Sequence, residues 1–250
     1  MLLFVLYLCL FLNLMMFIPA YFFRTDKLTD ISYALSFILS LLIIMPWSQL
    51  QLPITILVIM IILWASRLGA YLLIRIHKMK KDSRFDVMRQ HPWQFARFWL
   101  LQGLTVWVVL IPSIYFISIN PTKISTVSYL GLSLFLLGLL VEAVADYQKY
   151  VFINKPSNQG QWIATGLWKY SRHPNYLGEI MVWLGIYLFC FSSLTPTLQI
   201  VSLISPLYIA SLIIFVSGIP LLEKSADARW GANPQYQSYK KNTGVLLPKI

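Results

Sequence analysis

Seven apolar runs, each long enough for a helix to cross a lipid bilayer, dominate this sequence. The core of a bilayer needs about 20 apolar residues in a helix. The runs cover residues 2–23, 31–47, 53–76, 95–119, 128–147, 176–194 and 198–221. They predict an all-α, polytopic membrane protein with about seven transmembrane helices.

The composition excludes most other classes of protein. Hydrophobic residues make up 58% of the chain and charged residues 12%, whereas soluble domains average roughly 45–50% and 25%. Intrinsic disorder requires few hydrophobic residues and many charged ones, which is the opposite composition. Cys9 and Cys190 both lie in apolar runs, and the chain has three histidines, so neither a disulfide framework nor a metal site is expected.

The positive charges predict the orientation in the membrane. Of the 20 Lys and Arg residues, 18 fall in the loops that follow runs one, three and five, within three residues of those loops, or in the C-terminal tail. Lys123 is in a loop on the other side, and Arg67 lies inside a run. Because positive loops stay in the cytoplasm, the N-terminus is predicted outside and the C-terminus in the cytoplasm. The net charge of +11 follows from this bias and from anionic lipid, and nucleic-acid binding is not expected.

Several polar side chains fall inside the apolar runs, where they are costly and therefore candidates for function. Glu142 and Asp146 are four residues apart, so they share one helix face. We expect them to open a polar pocket toward the cytosol. The further candidates are Asp30, Arg67, Gln102 and Glu179. The alternative is that these groups pair with one another and only fix helix packing.

The segment 166–179 is the most informative stretch of the chain. Pro174 suits the first position of a helix, so helix six is predicted to begin there at the cytosolic surface. A helix N-terminus favours an anion, and neighbouring side chains add cations and flat rings: Lys169, Arg172, His173, Trp168, Tyr170 and Tyr176. The alternative is an interfacial belt of aromatic and basic residues.

The polar tail that follows Leu221 has two interpretations. It could lie on anionic lipid as an amphipathic surface segment. It could instead fold back under the helices and close a ligand site, with Glu223 at its junction with helix seven.

The string Ser-Arg-His-Pro-Asn-Tyr-Leu-Gly-Glu at residues 171–179 resembles the signature of the steroid 5-alpha-reductase-like membrane enzymes, in particular their bacterial branch. Weaker matches extend over nearly the whole chain, including Asp82, Ser83, Arg84, Phe85 and Arg89, and Tyr236, Tyr239, Thr243 and Pro248 in the tail. Isoprenylcysteine carboxyl methyltransferases and sterol C14-reductases share the Arg-His-Pro-x-Tyr core.

The resemblance implies an enzyme that binds NADPH from the cytosol and reduces a lipid-like substrate that enters from the bilayer. It implies one domain over residues 1–250, with substrate-side helices in 1–97, cofactor-binding helices in 98–221 and a cytosolic tail in 222–250. The implied cofactor residues are Glu142, Asp146, Lys149, Trp168, Tyr170, Arg172, His173, Asn175, Tyr176, Glu179, Glu223, Tyr236 and Tyr239. Among them, Arg172 and His173 are assigned to phosphate.

Asp30, Arg67 and Gln102 are the expected substrate pocket, and the sequence does not identify the proton donor. Lys81 stands where the family pattern leads us to expect an acid. The Glu/Tyr pair that steroid enzymes use for the substrate ketone has no counterpart that we can locate. The expected reaction is hydride transfer to a polarised C=C bond, with an acid stabilising the enolate.

Two other functions remain open at this point. The first is an S-adenosylmethionine-dependent methyltransferase, although relatives of that kind commonly carry paired acids after the last helix, whereas Lys224 follows Glu223. The second is a non-catalytic lipid-binding or transport protein, whose usual inverted repeat we do not find. The expected location is a bacterial cytoplasmic membrane.

Overall fold

A computed structural model describes residues 1–25, 27–79 and 91–249 of the chain. The first six apolar runs form single helices: α1 (Leu2–Phe22), α2 (Lys27–Ile44), α3 (Leu52–Met79), α4 (Pro92–Ile119), α5 (Thr126–Ile153) and α6 (Pro174–Phe191). A 3-10 turn, Met45–Trp47, extends α2. Segment 80–90 lies outside the described residues, and with it the departure at Lys81 and the predicted matches Asp82, Ser83, Arg84, Phe85 and Arg89.

The described residues contain seven helical stretches long and apolar enough to cross a membrane. This confirms the predicted all-helical, multi-pass class. Pro174 is the first residue of α6, as predicted. Asp30 lies in the first turn of α2, where the positive end of the helix dipole favours a carboxylate.

Two of the predicted runs differ most from the structure. Helix α5 continues to Ile153, six residues beyond the apolar run, so Lys149 lies on this helix and not in a loop. The run 198–221 is not one helix: it divides into α7 (Pro196–Ser202), α8 (Ile204–Ser211) and a π-helical turn (Leu212–Val216).

The seventh stretch breaks four residues before each of two prolines. Pro206 follows the end of α7 at Ser202, and Pro220 follows the end of the π turn at Val216. A proline ring clashes with the carbonyl four residues earlier and supplies no N–H to it. The chain therefore restarts after each break. The predicted tail then forms two more helices, α9 (Ile219–Trp230) and α10 (Pro234–Asn242).

The chain divides into two compact units. Unit 1 comprises Met1–Tyr129 and Phe189–Ser205. Its helix α1 packs on α2 and α4, and α2 packs on α3. The edge of Phe37 meets the fully buried Trp64 ring, with centroids 5.0 Å apart at 82°.

Unit 2 comprises Leu130–Leu188 and Pro206–Ile250. Its helices α5 and α6 meet at glycines with backbone nearly touching backbone. A Cβ on Gly178 would lie 2.7 Å from the Gly138 carbonyl oxygen and from the Glu142 nitrogen. Small residues permit such close approach in membrane helices. The expected division into a substrate side and a cofactor side stays a prediction.

Candidate functional site

Unit 2 contains a cavity of about 240 Å³ with mixed aromatic and charged walls. Three stretches of its lining come from the end of α5, the segment 161–173 and α9, and α10 adds the rest. The aromatic walls are Phe152, Trp162, Trp168, Trp230, Tyr236 and Tyr239. The ionisable side chains on the lining, besides the two tyrosines, are Lys149, Arg172, His173, Glu223 and Arg229.

The tail closes this cavity by pairing with the segment before α6. The N–H groups of Arg172 and His173 donate to the carbonyls of Gly244 (2.9 Å) and Val245 (3.1 Å). Residues Ser171 and Gly244 form a parallel bridge. The tail therefore folds back, as one of the two interpretations expected. The backbone N–H groups of Arg172 and His173 are among those on which the predicted anion site depended, and the tail carbonyls already accept hydrogen bonds from them.

The Tyr239 side chain strengthens this closure. Its hydroxyl donates to the Trp168 carbonyl oxygen at 2.8 Å. Burial raises the pKa of Tyr239 to about 12, so the phenol stays neutral and remains a donor. Burial also raises the pKa of Tyr236, and the nearby Glu223 and Asp227 carboxylates add to that shift.

A cluster of charges centres on Glu223. Its carboxylate contacts Arg172 Nε at 3.2 Å, His173 Nε2 at 2.8 Å and Lys240 Nζ at 3.3 Å. Arg172 Nη1 also donates to the carbonyls of Lys240 (2.7 Å) and Thr243 (3.3 Å). Arg172 thus links the segment before α6 to α9 and to the end of α10. Its predicted contact with a cofactor phosphate stays a prediction.

His173 is nearly enclosed at the edge of the cavity. Burial lowers its pKa, and this outweighs the opposing effect of Glu223. Its ring stacks on that of Tyr176, with centroids 5.7 Å apart at 18°. Within the described residues, its buried Nδ1 has no hydrogen-bond partner.

Aromatic rings cluster on one side of the cavity. The ring of Tyr236 lies 5.3 Å from that of Trp162 and 5.8 Å from that of Trp230. Trp230 Nε1 donates to the Gly160 carbonyl at 2.6 Å, which ties the segment before α6 to α9. Lys149 Nζ lies 5.0 Å from the centre of the Trp168 ring. Flat rings beside cations suit a ligand that carries both a planar group and negative charge.

The structure brings together seven of the predicted cofactor residues on this lining: Lys149, Trp168, Arg172, His173, Glu223, Tyr236 and Tyr239. The other six lie elsewhere in unit 2. Asn175 donates to the buried Asp146 at 3.2 Å, and Glu179 accepts from Trp183 Nε1 at 2.9 Å. Glu142 packs against Gly178. The ring of Tyr176 stacks on that of His173, and Tyr170 is exposed.

Three further lining residues were not predicted from the sequence: Trp162, Arg229 and Trp230. A helical repeat was present in the region treated as a tail, because Leu222, Ala226 and Trp230 recur four residues apart, and Glu223, Ala226 and Arg229 recur three residues apart. That spacing places residues on one helix face. Trp162 lies in the segment between α5 and α6, outside any helical repeat, and gives no comparable pattern.

The predicted substrate residue Gln102 belongs to a buried polar network in unit 1. Its Nε2 donates to Asn13 Oδ1 at 2.9 Å and to the Thr29 carbonyl at 3.1 Å. Asn13 in turn donates to Ser36 Oγ at 3.1 Å. Gln102 therefore reaches the residue next to Asp30. Asp30 and Arg67 are partly buried, and the role of all three predicted substrate residues stays a prediction.

Seven apolar helical stretches and a cavity with aromatic and charged walls define a multi-pass membrane protein with a candidate ligand site. The chain matches, over residues 16–243, a family described as a protein of unknown function (DUF1295). It belongs to this family, which is part of the steroid 5-alpha-reductase-like superfamily. This confirms the superfamily indicated by the motif before α6.

Comparison with individual proteins adds little detail. The chain is 23% identical over 140 residues to an uncharacterized protein of Schizosaccharomyces pombe, a match that covers 49% of this chain and 39% of that protein. The chain thus spans about two fifths of the length of the curated relative that it matches. No solved structure matches.

Proposed function

We propose that this protein is a membrane-embedded, NADPH-dependent reductase of a C=C bond in a lipid-like substrate, and that the cavity of unit 2 holds the cofactor. The observation that carries the proposal is the lining itself: flat aromatic rings, cationic side chains and a buried nitrogen without a partner in the described structure. Membership of the superfamily supports the same reaction class.

The lining residues offer a dinucleotide two kinds of contact. Trp162, Trp230 and Tyr236 offer rings on which a base or a nicotinamide can stack. Lys149 and Arg229 supply positive charge for phosphate. When it is bound, NADPH supplies the hydride for the reduction. The protein's part is to bind and orient the ligand and to exclude water from it.

The proposed orientation has the N-terminus outside and the tail in the cytoplasm of a bacterial cell, in its cytoplasmic membrane. The bias of 18 Lys and Arg residues supports it. This orientation gives the cavity access to cytosolic cofactor, while the spans give an apolar substrate access from the bilayer.

A methyltransferase that uses S-adenosylmethionine is the second candidate. The aromatic lining also suits a sulfonium cation, because ring faces attract positive charge, and Glu223 lines the same cavity. The cations Lys149 and Arg229 favour a ligand that carries several phosphates over S-adenosylmethionine, which carries none. A non-catalytic lipid-binding or transport role predicts no nucleotide binding.

Titration of the purified full chain with NADPH and, separately, with S-adenosylmethionine distinguishes these functions. We expect saturable NADPH binding, measured as a rise in melting temperature and by calorimetry. Arg229→Gln should weaken NADPH binding about threefold to tenfold, because it removes a partly solvated contact to phosphate. The loss should shrink at high salt, which screens charge.

Lys224→Gln is the matched control. Lys224 is an exposed cation on the same helix and does not line the cavity in the described structure. The variant should bind NADPH like the unmodified protein. Equal losses in both variants would mean that general positive charge, and not the cavity, attracts the nucleotide. Binding of S-adenosylmethionine alone would establish the second candidate.

A further inference from the structure

His173 is held in one orientation by contacts on three sides. Its Nε2 lies 2.8 Å from Glu223 Oε1, its ring stacks on Tyr176, and its backbone N–H donates to the Val245 carbonyl. The residue is 5% exposed and lines the cavity. In the described part of the chain, Nδ1 is a buried polar atom with no hydrogen-bond partner.

The contacts of Glu223 determine which ring nitrogen carries the hydrogen. Glu223 also contacts Arg172 and Lys240, which stabilise its ionised form, and an ionised carboxylate only accepts hydrogen bonds. Nε2 therefore donates to Glu223. Burial and the neighbouring cations Arg172 and Lys149 oppose a second proton on the ring, against the attraction of Glu223. In the resulting neutral imidazole, Nδ1 is an acceptor.

This hydrogen assignment conflicts with the phosphate role that the sequence motif implied for His173. Phosphate oxygens are acceptors, so they gain no hydrogen bond from an acceptor nitrogen. We propose that His173 Nδ1 accepts a hydrogen bond from a hydroxyl or amide N–H group of the ligand in the cavity, and that His173 does not bind phosphate. The inference rests on the proposed nucleotide site. Ribose hydroxyls and the nicotinamide carboxamide are donors of the required kind.

Two substitutions separate the two ring nitrogens. In His173→Gln the amide nitrogen can take the place of Nε2 and donate to Glu223, but nothing replaces Nδ1. In His173→Asn the amide oxygen can take the place of Nδ1 as an acceptor, but the contact with Glu223 is lost. Two quantities are measured on the same preparations of the full chain: the melting temperature without ligand and the affinity for NADPH. We expect opposite results for the two variants.

We expect His173→Gln to keep its melting temperature and to lose about tenfold in NADPH affinity, the effect of one hydrogen bond to a buried partner. We expect His173→Asn to melt at a lower temperature but to lose less affinity. Unchanged affinity in His173→Gln would overturn the inference, as would a larger loss in His173→Asn. If the unmodified protein bound neither NADPH nor S-adenosylmethionine, the proposed function itself would fail, and this inference with it.

Discussion

Glu223 joins two cationic side chains and the His173 imidazole, which come from two distant parts of the chain. Arg172 and His173 precede α6, whereas Lys240 lies on α10. The side chains of Arg172 and Glu223 are 11% and 18% exposed, so water screens their interaction only partly. Removal of one partner from such a pair leaves the other charge poorly solvated. We infer that this cluster stabilises the tail in its closed position.

Arg172→Gln should lower the free energy of unfolding by about 1–3 kcal/mol, because hydrogen bonds to a charged group are lost in a poorly hydrated place. The substitution removes the contact with Glu223 and weakens those with the carbonyls of Lys240 and Thr243. The expected readouts are a lower melting temperature and faster proteolysis of the tail.

Lys240→Gln provides the comparison for this effect. The Lys240 side chain is 32% exposed, so solvent screens its contacts with Glu223 and Asp227 more strongly, and such pairs contribute little. We expect the smaller loss of stability in this variant. If Arg172→Gln were as stable as the unmodified protein, the tail would not depend on this cluster.

For single residues, the sequence predicted which side chains line the cavity better than it predicted which of them contact one another. Arg172, His173 and Glu223 were all predicted site residues, and all three line the cavity. Their mutual contact was not predicted, because it depends on the return of the tail across about 50 intervening residues. A local motif indicates which types of side chain are present. A contact between residues about 50 positions apart depends on the path of the chain between them, which the motif does not contain.

Among the helices, α5 and α6 pack closely where a glycine of one meets a glycine of the other. Gly138 and Gly178 allow the two backbones to approach within a distance that no side chain would tolerate. Glu142 packs directly against Gly178, and Asp146 meets Asn175 one turn further on. The glycine contact therefore sets the position of both predicted acidic residues.

Gly178→Ala should destabilise the protein by about 1–3 kcal/mol, the usual cost of overpacking. Its Cβ would lie 2.7 Å from backbone atoms of α5, and backbone cannot move aside as a side chain can. Thermal unfolding in detergent measures the effect. Gly69→Ala on α3 is the control, because its nearest contact is the Ala34 Cβ at 3.2 Å.

We expect Gly69→Ala to be nearly neutral, since alanine's higher helix propensity offsets a mild contact. Equal stability of the two variants would show that α5 and α6 can separate without cost.

Hydropathy predicted the existence of every membrane-spanning stretch but not the interior of the seventh. Pro112 lies inside the unbroken α4, while Pro206 and Pro220 each follow a break. A proline in an apolar run therefore does not by itself predict whether the helix continues or stops. The helix α9 was missed for a related reason, because its polar face made it look like a surface tail.

For the molecule as a whole, charge and hydropathy together predict a fixed orientation in the membrane. A phosphatase that is active only outside the cytoplasm, fused after Ile250, should be inactive, and a reporter active only in the cytoplasm should be active there. The expectation follows from the bias of positive loops. A fusion in the loop that contains Lys123, between α4 and α5, should give the opposite pattern. Phosphatase activity at Ile250 would contradict the orientation.

The pairing of the tail with the segment before α6 has a consequence for biosynthesis. The carbonyl of Val245 that accepts from Ser171 is made 74 residues after it. During translation, α6 enters the membrane while this partner has not yet been synthesised, so a nascent chain that ends before Gly244 lacks this pairing. A ligand of the proposed kind can therefore find the tail in its paired position only after this part of the chain has been made.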